Sequence, residues 1–366
     1  MAMSGGVDSS VAAYILQQAG HNVAGLHMHL WCEEKQGQGA QRRQCCNAED
    51  AHDAELVCQR LGIPFYVVNF RDEFQAQVVD YFCREYAQGR TPNPCIACNA
   101  KIKFRLLLER ALSLGGEYLA TGHYARTGNT DGKQSSCRLL EGTDKAKDQS
   151  YFLYMLGQEE LGHLLFPVGG MTKSEVRQLA AEQGLRVARK ADSVEVCFVA
   201  DGGYRGFLAS RIRQSEGDIL DLDGATVGRH KGLAGYTIGQ RARLDRGNGK
   251  RLYVVALDKA SNRVIVGPEE ASYSQGLIAS SVRWVSGQAP QGEIECKVRV
   301  RYRSPGAKAV LTVRGGAAGA FFQEPQRAVA PGQAAVFYDG EEVLGGGIIE
   351  RALTSRHEAG PNEVAE

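Results

Sequence analysis

The sequence predicts an α/β N-terminal domain built on a parallel sheet, then a small central domain, then an all-β, barrel-like C-terminal domain. Three observations predict it. Residues 1 to about 125 alternate apolar strand runs with helix-period segments, the spacing of a parallel sheet covered by helices. After about residue 205 the helical pattern fades, and short strand runs separated by glycine turns take over. At 366 residues the chain exceeds what one ordinary core accommodates. The expected boundaries are 1–200, 201–270 and 271–353, with a polar, disordered tail over 354–366.

Taken in order, Ser9 to Ala19 reads as a helix and "VAGLHM" (23–28) as a strand. Glu49 to Leu61 reads as a helix with Ala51, Ala54, Val57, Cys58 and Leu61 on one face. "PFYVVNF" (64–70) is a strand, Asp72 to Gln88 a helix, Lys101 to Leu114 another, and "YLATG" (118–122) a strand. Residues 32–50 and 126–150 read as polar loops, the second interrupted by "CRLLEG". Thr172 and Glu175 form a capping-box start for an amphipathic helix over 172–185. The runs "RLYVVALD", "RVIVG", "LIASSVRWV", "IECKVRVRYR", "KAVLTVR", "AAVFYDG" and "GGGIIE" are the strands of the β part.

Composition excludes several classes. No run of 18 apolar residues exists, which argues against a helical membrane span. The N-terminus resembles neither a signal nor a transit peptide, so a cytoplasmic protein is expected. Ten cysteines in so long a chain then read as reduced thiols, a few of them catalytic or metal-bound. A formal net charge of +1 means that any nucleic-acid site must be a local patch.

"SGGVDSS" (4–10) is the strongest local signal. Gly5 and Gly6 let the backbone approach a ligand, and Ser9 and Ser10 open a helix whose free N–H groups face the same place. That is an anion site, most naturally for phosphate. Asp8 within it either caps the helix or holds Mg²⁺ against a pyrophosphate. No lysine follows the second glycine, so this is not the G-x-x-x-x-G-K-[ST] loop. It resembles the S-G-G-x-D-S loop of the ATP pyrophosphatases, which attach AMP to a carbonyl-type oxygen before a nucleophile displaces it.

The nucleophile is the next question. Cys95 and Cys98 form a C-x-x-C within "TPNPCIACN", and Cys98 is expected to open a helix rich in Lys101, Lys103 and Arg105. A helix start beside cations lowers a thiol pKa, so Cys98 reads as partly thiolate. Cys197, in "KADSVEVCFVADGGY", is the second candidate. Zinc needs about four ligands and "CIAC" supplies two. His27, His29, Cys32, Cys45 and Cys46 are the residues available to complete such a site, but read better as neighbours of the nucleotide pocket.

A longer set of blocks then narrows the reading: "SGGVDSSVAAYIL", "GRTPNPCIACNAKIKF", "YLATGHYAR", "KDQSYFLY", "LFPVGGMTKSEVR", "DSVEVCF", "YTIGQR", "VRYRSPG" and "PGQAAVFYDGEEVLGGGII". In this order, to about residue 352, they resemble the bacterial tRNA-specific 2-thiouridylases. The resemblance implies an adenine-nucleotide alpha-hydrolase-like N-terminal domain and ATP with Mg²⁺ as cofactors. It implies a tRNA for Lys, Glu or Gln whose wobble uridine is everted, adenylated at O2 and thiolated by a persulfide on Cys197. Cys98 is then the nucleophile that works with Cys197, by attack or by disulfide formation. The implied ATP positions are Ala2, Met3, Ser4, Gly5, Gly6, Val7, Asp8, Ser9, Met28 and Gly122. The implied tRNA positions are Asn93, Pro94, Cys95, His123, Lys147, Asp148, Gln149, Arg301, Tyr302 and Gln333. Sulfur is to come from a cysteine desulfurase or a relay protein. An iron–sulfur cluster on Cys95, Cys98 and Cys197 is the lesser alternative to sulfur carriage.

"KVRVRYR" (297–303) adds a reading of its own: period two puts Lys297, Arg299, Arg301 and Arg303 on one strand face, suited to a polyanion or to a charge-protected sheet edge. Two departures from the family stand out. Some members carry Asp where this chain has Cys95, which leaves proton transfer to Asp8 or water. Members also have a buried strand before the phosphate loop, whereas Ser4 here follows three residues after the start, so a clipped N-terminus and a missing central strand are expected. Two other readings remain: a ligase of the same loop class that adenylates a small molecule, for which Cys98, Cys197 and the basic strand are superfluous, and a non-enzymatic tRNA- or cluster-binding protein, for which Asp8 is.

Overall fold

A computed structural model describes residues 1–31, 48–129, 136–192, 196–199, 203–242, 244 and 251–355. The predicted loop cysteines Cys32, Cys45 and Cys46, and the tail beyond residue 355, lie outside the described residues. The chain divides into two compact units. One comprises Met1–Val79, Pro94–Asp201 and Glu341–Val343, the other Asp80–Asn93, Gly202–Gly340 and Leu344–Glu366.

In the first unit, strand β1 (Gly25–His29) pairs in parallel with β2 (Phe65–Asn69). Strand β3 (Leu119–Ala120) pairs in parallel with Leu164–Leu165. The position between β1 and β3, where a central strand was expected to be missing, is taken by Met1–Met3. The Met1 amine donates to the Ala24 carbonyl at 2.8 Å, and Ala2 N to the Ala120 carbonyl at 2.8 Å. Met3 N and Leu26 N complete the seam, bonding Leu26 O and Met1 O at 2.8 Å each. Three residues therefore bridge the sheet, and Met1 and Met3 are buried in its core.

Helix α1 (Val7–Gln18) starts straight after this segment. Val7, Val11, Ala12, Ala13 and Leu16 pack with Ala54, Val57 and Cys58 of helix α2 (Ala48–Leu61) and with Val176 and Ala180 of the helix Lys173–Glu182. The predicted capping box holds: Glu175 N donates to Thr172 Oγ1, and Thr172 N donates to the Glu175 carboxylate. The two helices predicted over 72–88 and 101–114 are each interrupted by wider π-type winding, over Gln75–Val79 and Asn99–Leu107. The second also begins earlier than expected, at Pro94. Residues 126–150 are not simply loop, since Ala125–Asn129 and Cys137–Glu141 form an antiparallel hairpin.

The second unit holds two β structures. Strands Gly217–Leu220, Thr226–His230, Arg241–Ala242, Leu252–Asp258 and Arg263–Gly267 form a five-stranded sheet packed on Ile219, Val254, Val264 and Val266. Strands Tyr273–Trp284, Glu293–Arg299, Ala307–Arg314, Ala317–Arg327, Ala334–Asp339 and Glu342–Leu353 close into a six-stranded barrel, because the first also pairs with the last. Alternating Leu277, Ala279, Val298, Leu311, Ala318, Ala320, Phe322, Phe337 and Ile349 fill its interior. Small alanines opposite large side chains, as Ala309 faces Phe322, let so narrow a barrel pack.

Candidate active site

The loop lies where the sheet changes direction. The chain runs from Met1–Met3 out through β1 to β2, then returns to β3 on the other side, which makes the carboxyl ends of Met1–Met3 and β3 the switch point where such sheets bind ligands. Ser4 to Ser10 emerge there, and Gly122 follows β3. Gly5 has φ +71°, and a Cβ on it would overlap the Asp50 carbonyl. A Cβ at Gly122 would stand 2.7 Å from Ser9 N and 2.8 Å from Asp8 C. Two predicted ATP positions are thus glycine because backbone closes on backbone there. Ser9 Oγ donates to Gly6 O at 3.1 Å and accepts from Ser4 N at 3.2 Å, while Ser10 Oγ donates to Gly6 O at 2.8 Å. These bonds fix the loop with the first N–H groups of α1 unspent, as an anion site requires. The cradle therefore fits a nucleotide phosphate. Met28 lies on β1, half-buried.

Asp8 does not cap the helix, for Gly6 is the N-cap and no side chain caps it. Its carboxylate instead accepts from Lys173 Nζ at 2.7 and 2.8 Å and from the Tyr124 hydroxyl at 2.7 Å. The Asp8 carboxylate is thus held beside the loop by one ammonium and one phenol. Burial, and then the Asp8 charge, push the Tyr124 phenol far above its usual pKa, so it stays a donor. Lys173 Nζ also lies 3.0 Å from Asp192, which takes Lys147 at 2.8 Å and Arg177 at 2.7 Å as well. Burial works against the Asp192 carboxylate, but the hydrogen bonds from Lys147 and Lys173 outweigh it and bring its pKa down to about 2. On the far side of the loop Lys190 Nζ bonds Gly5 O at 2.9 Å and Asp50 and Asp53 at 2.6 Å each. Burial opposes its charge, and the two carboxylates more than restore it. Lys173, Tyr124 and Asp192 carried no signal in the sequence beyond standing inside family blocks, and Lys190 stood outside those blocks.

Cys98 is not at a helix start. It is the last α-wound residue of Pro94–Cys98, and the π winding begins at Asn99. The helix-start argument for a lowered pKa therefore falls away, since the first turn belongs to Pro94 through Ala97. Cys98 is buried, Cys95 exposed and Cys197 half-buried, and all three are thiols outside any disulfide. Asn99 is 2% exposed and donates to Phe152 O at 3.0 Å. Among the described residues no three His, Cys, Asp or Glu side chains converge to hold a metal. Cys95, Cys98 and Cys197 as they stand do not fit a cluster's ligand set, and His27, whose Nδ1 lies 2.9 Å from Met3 O, belongs to no such ligand group either.

Of the other implied tRNA positions in this unit, His123 hydrogen-bonds Thr121 at 2.7 Å and packs on Phe104 and Phe166. Desolvation, then the Lys103 charge, hold its imidazole well below its usual pKa, so it is neutral. Asp148 is buried and turned inward, accepting from Gly142 N, Ser150 N and Ser150 Oγ at 2.9–3.1 Å. It shapes the turn that presents Lys147 and Gln149, and Gln149 itself bonds Tyr124 N at 3.0 Å. In the second unit Gln333 donates to Thr91 O at 2.8 Å, in the segment leading to Asn93. The basic strand is shorter than expected: it ends at Arg299, and Arg301, Tyr302 and Arg303 lie in the turn after it. Lys297 and Arg299 do share a face, with their charges 5.0 and 4.7 Å from the centre of the Tyr338 ring.

The parallel sheet and its glycine loop at the switch point define a nucleotide-binding α/β protein. Residues 1–201 match the family described as tRNA methyl transferase HUP domain, 205–268 the tRNA methyl transferase PRC-barrel domain, and 274–349 the Aminomethyltransferase beta-barrel domain. The chain is 49% identical over 359 residues to the tRNA-specific 2-thiouridylase MnmA of Geobacter metallireducens, covering 97% of each. It is 48% identical over 369 residues to that of Roseiflexus sp. strain RS-1, covering 96% of this chain and 98% of the relative. The chain belongs to the tRNA-specific 2-thiouridylase MnmA family. The U34-tRNA thiolase NcsA from Methanococcus maripaludis, solved with its [4Fe-4S] cluster, aligns at 19% identity and TM-score 0.34 over 57% of this chain and 62% of its own, too weak a likeness to carry an argument.

Proposed function

We propose that this protein is an ATP-dependent tRNA-uridine 2-sulfurtransferase acting on the wobble uridine. The observation that carries the reading is the Ser4–Ser10 loop closed against Gly122, with Asp8 at its centre, in a chain about half identical to named 2-thiouridylases along nearly its whole length. ATP binds with its phosphates on the N–H groups of the loop and α1. Asp8 would hold Mg²⁺ together with the substrate phosphates, and the ion would supply charge neutralisation there, since a single carboxylate plus phosphates suffices for it. Uridine O2 attacks the α-phosphorus, pyrophosphate leaves, and the resulting C2–O–AMP is a far better leaving group than the oxygen alone.

The terminal sulfur of a Cys197 persulfide then attacks C2 and AMP departs. Cys98 thiolate attacks the Cys197 sulfur, forming the Cys98–Cys197 disulfide and leaving the sulfur on C2. Two electrons from a dithiol reductant reset the pair. Asn93, Pro94, Cys95 and neutral His123 would contact the everted base, and Lys147, Gln149, Arg301, Tyr302 and Gln333 would contact the RNA. In this assignment 1–200 is the catalytic domain, 201–270 a central domain and 271–353 the tRNA-binding barrel. The tRNAs are of Lys, Glu or Gln type, the sulfur comes from a cysteine desulfurase or relay protein, and the protein works in the cytoplasm. Among the described residues no helix is long and apolar enough to cross a membrane.

The test is AMP release from ATP with and without tRNA bearing an unmodified wobble uridine. The account expects AMP only with that tRNA, and its loss in Asp8→Asn. AMP formed equally without tRNA would point to a small-molecule ligase instead.

A further inference from the structure

The phosphate loop and the turn proposed to meet tRNA are joined by a continuous chain of ion pairs, Asp8–Lys173–Asp192–Lys147, with separations of 2.7, 3.0 and 2.8 Å. Two features make this chain more than surface charge. Lys173, its middle cation, is 12% exposed, and its backbone N is fixed 2.9 Å from the Asp144 carboxylate. The same Asp144 opens the turn that carries Lys147, through Lys147 N to Asp144 O at 3.0 Å and Ala146 N to its carboxylate at 3.0 Å. The backbones of Lys147 and Lys173 are thus both tied to Asp144. Lys173 also spans both Asp8 oxygens while standing within reach of Asp192. The Lys173 charge, 2.7 and 2.8 Å from the two Asp8 oxygens, repels a divalent cation there, so Asp8 holds one more tightly once Lys173 has left it.

We propose that Lys173 and Asp192 are positioning residues that couple tRNA contact at Lys147 to the readiness of the ATP loop. Asp192 divides its charge among Lys147, Lys173 and Arg177. An RNA phosphate that draws Lys147 away leaves Asp192 with less positive charge beside it. Lys173 then swings from Asp8 to Asp192, and Asp8 turns to the cation of the incoming nucleotide. Arg177 does not substitute, because its guanidinium is also tied to the Ala188 and Lys190 carbonyls at 2.9 and 3.0 Å. Only proton-neutral ion-pair exchange is involved. The inference rests on the substrate reading above, and it gives that reading a reason for adenylation to wait for tRNA.

The experiment measures binding of Mg²⁺·α,β-methylene-ATP by calorimetry, with and without the unmodified tRNA, in the wild type, Asp192→Asn and Lys147→Gln. Its readout is binding and not turnover, and a merely structural role would not produce its pattern. In the wild type tRNA tightens the analogue by roughly tenfold, the usual size of such coupling. Asp192→Asn binds it weakly and equally with and without tRNA. Lys147→Gln binds it about as tightly without tRNA as the wild type does with it. Full coupling in a folded Asp192→Asn, or no tightening in Lys147→Gln, overturns the proposal. So does a wild type that binds tRNA in a filter assay yet shows no coupling. A wild type that binds no tRNA at all instead takes down the substrate reading, and this inference with it.

Discussion

At the scale of single residues, the site is held by a few atoms with no room to shift. Gly122 is the clearest case. A methyl group there would press on the backbone of Asp8 and Ser9, neither of which is the free end of a flexible side chain. Gly122→Ala should cost about 1–3 kcal/mol through overpacking and weaken binding of the ATP analogue, which thermal melts and calorimetry would read together. An unchanged affinity would mean that the loop tolerates displacement. Asp192 makes a second prediction. Its folded-state pKa lies below the unfolded value, so its contribution to stability is complete above about pH 4 and is lost as pH falls toward about 2. Acid unfolding of Asp192→Asn should therefore steepen less than that of the wild type across this window. Parallel curves would show that the three cations around Asp192 do not stabilise it on folding.

At the scale of elements, the alternation of strand and helix was legible because each period follows from burial on one face, as Ala54, Val57 and Cys58 of α2 illustrate. The capping box at Thr172 was legible for the same local reason. It places Lys173 at the first position of its helix, so Thr172→Ala should destabilise the protein by about 1 kcal/mol and slacken the Lys173–Asp8 pair. Thermal melts measure the first effect, and weaker analogue binding reports the second. What sequence could not show was winding and register. Nothing in "CNAKIKF" announces a π-type segment, so the helix start was placed at Cys98 instead of Pro94. Period two suggested that the basic strand runs to Arg303, but a turn in which Ser304 bonds Arg301 O at 3.1 Å ends it at Arg299. The ion-pair chain behind Asp8 was equally hidden, since its members stand up to 184 positions apart and meet only through the fold.

At the scale of the whole molecule, a nearly neutral chain gathers charge in local sites: the loop with its lysines in one unit, Lys297 and Arg299 beside Tyr338 in the other. Function was readable to the extent that chemistry requires particular residues close in sequence, as in the phosphate loop. The pairing proposed for Cys98 and Cys197, 99 positions apart, rests on family likeness alone. The most direct test of the central claim starts from protein charged with a persulfide, ATP, Mg²⁺ and unmodified tRNA, followed by nucleoside mass spectrometry of the digested RNA. The account predicts 2-thiouridine at the wobble position, one per persulfide consumed, and none with Cys197→Ser. Unchanged uridine from a folded, charged enzyme that still releases AMP, or thiolation undiminished in Cys197→Ser, would contradict it.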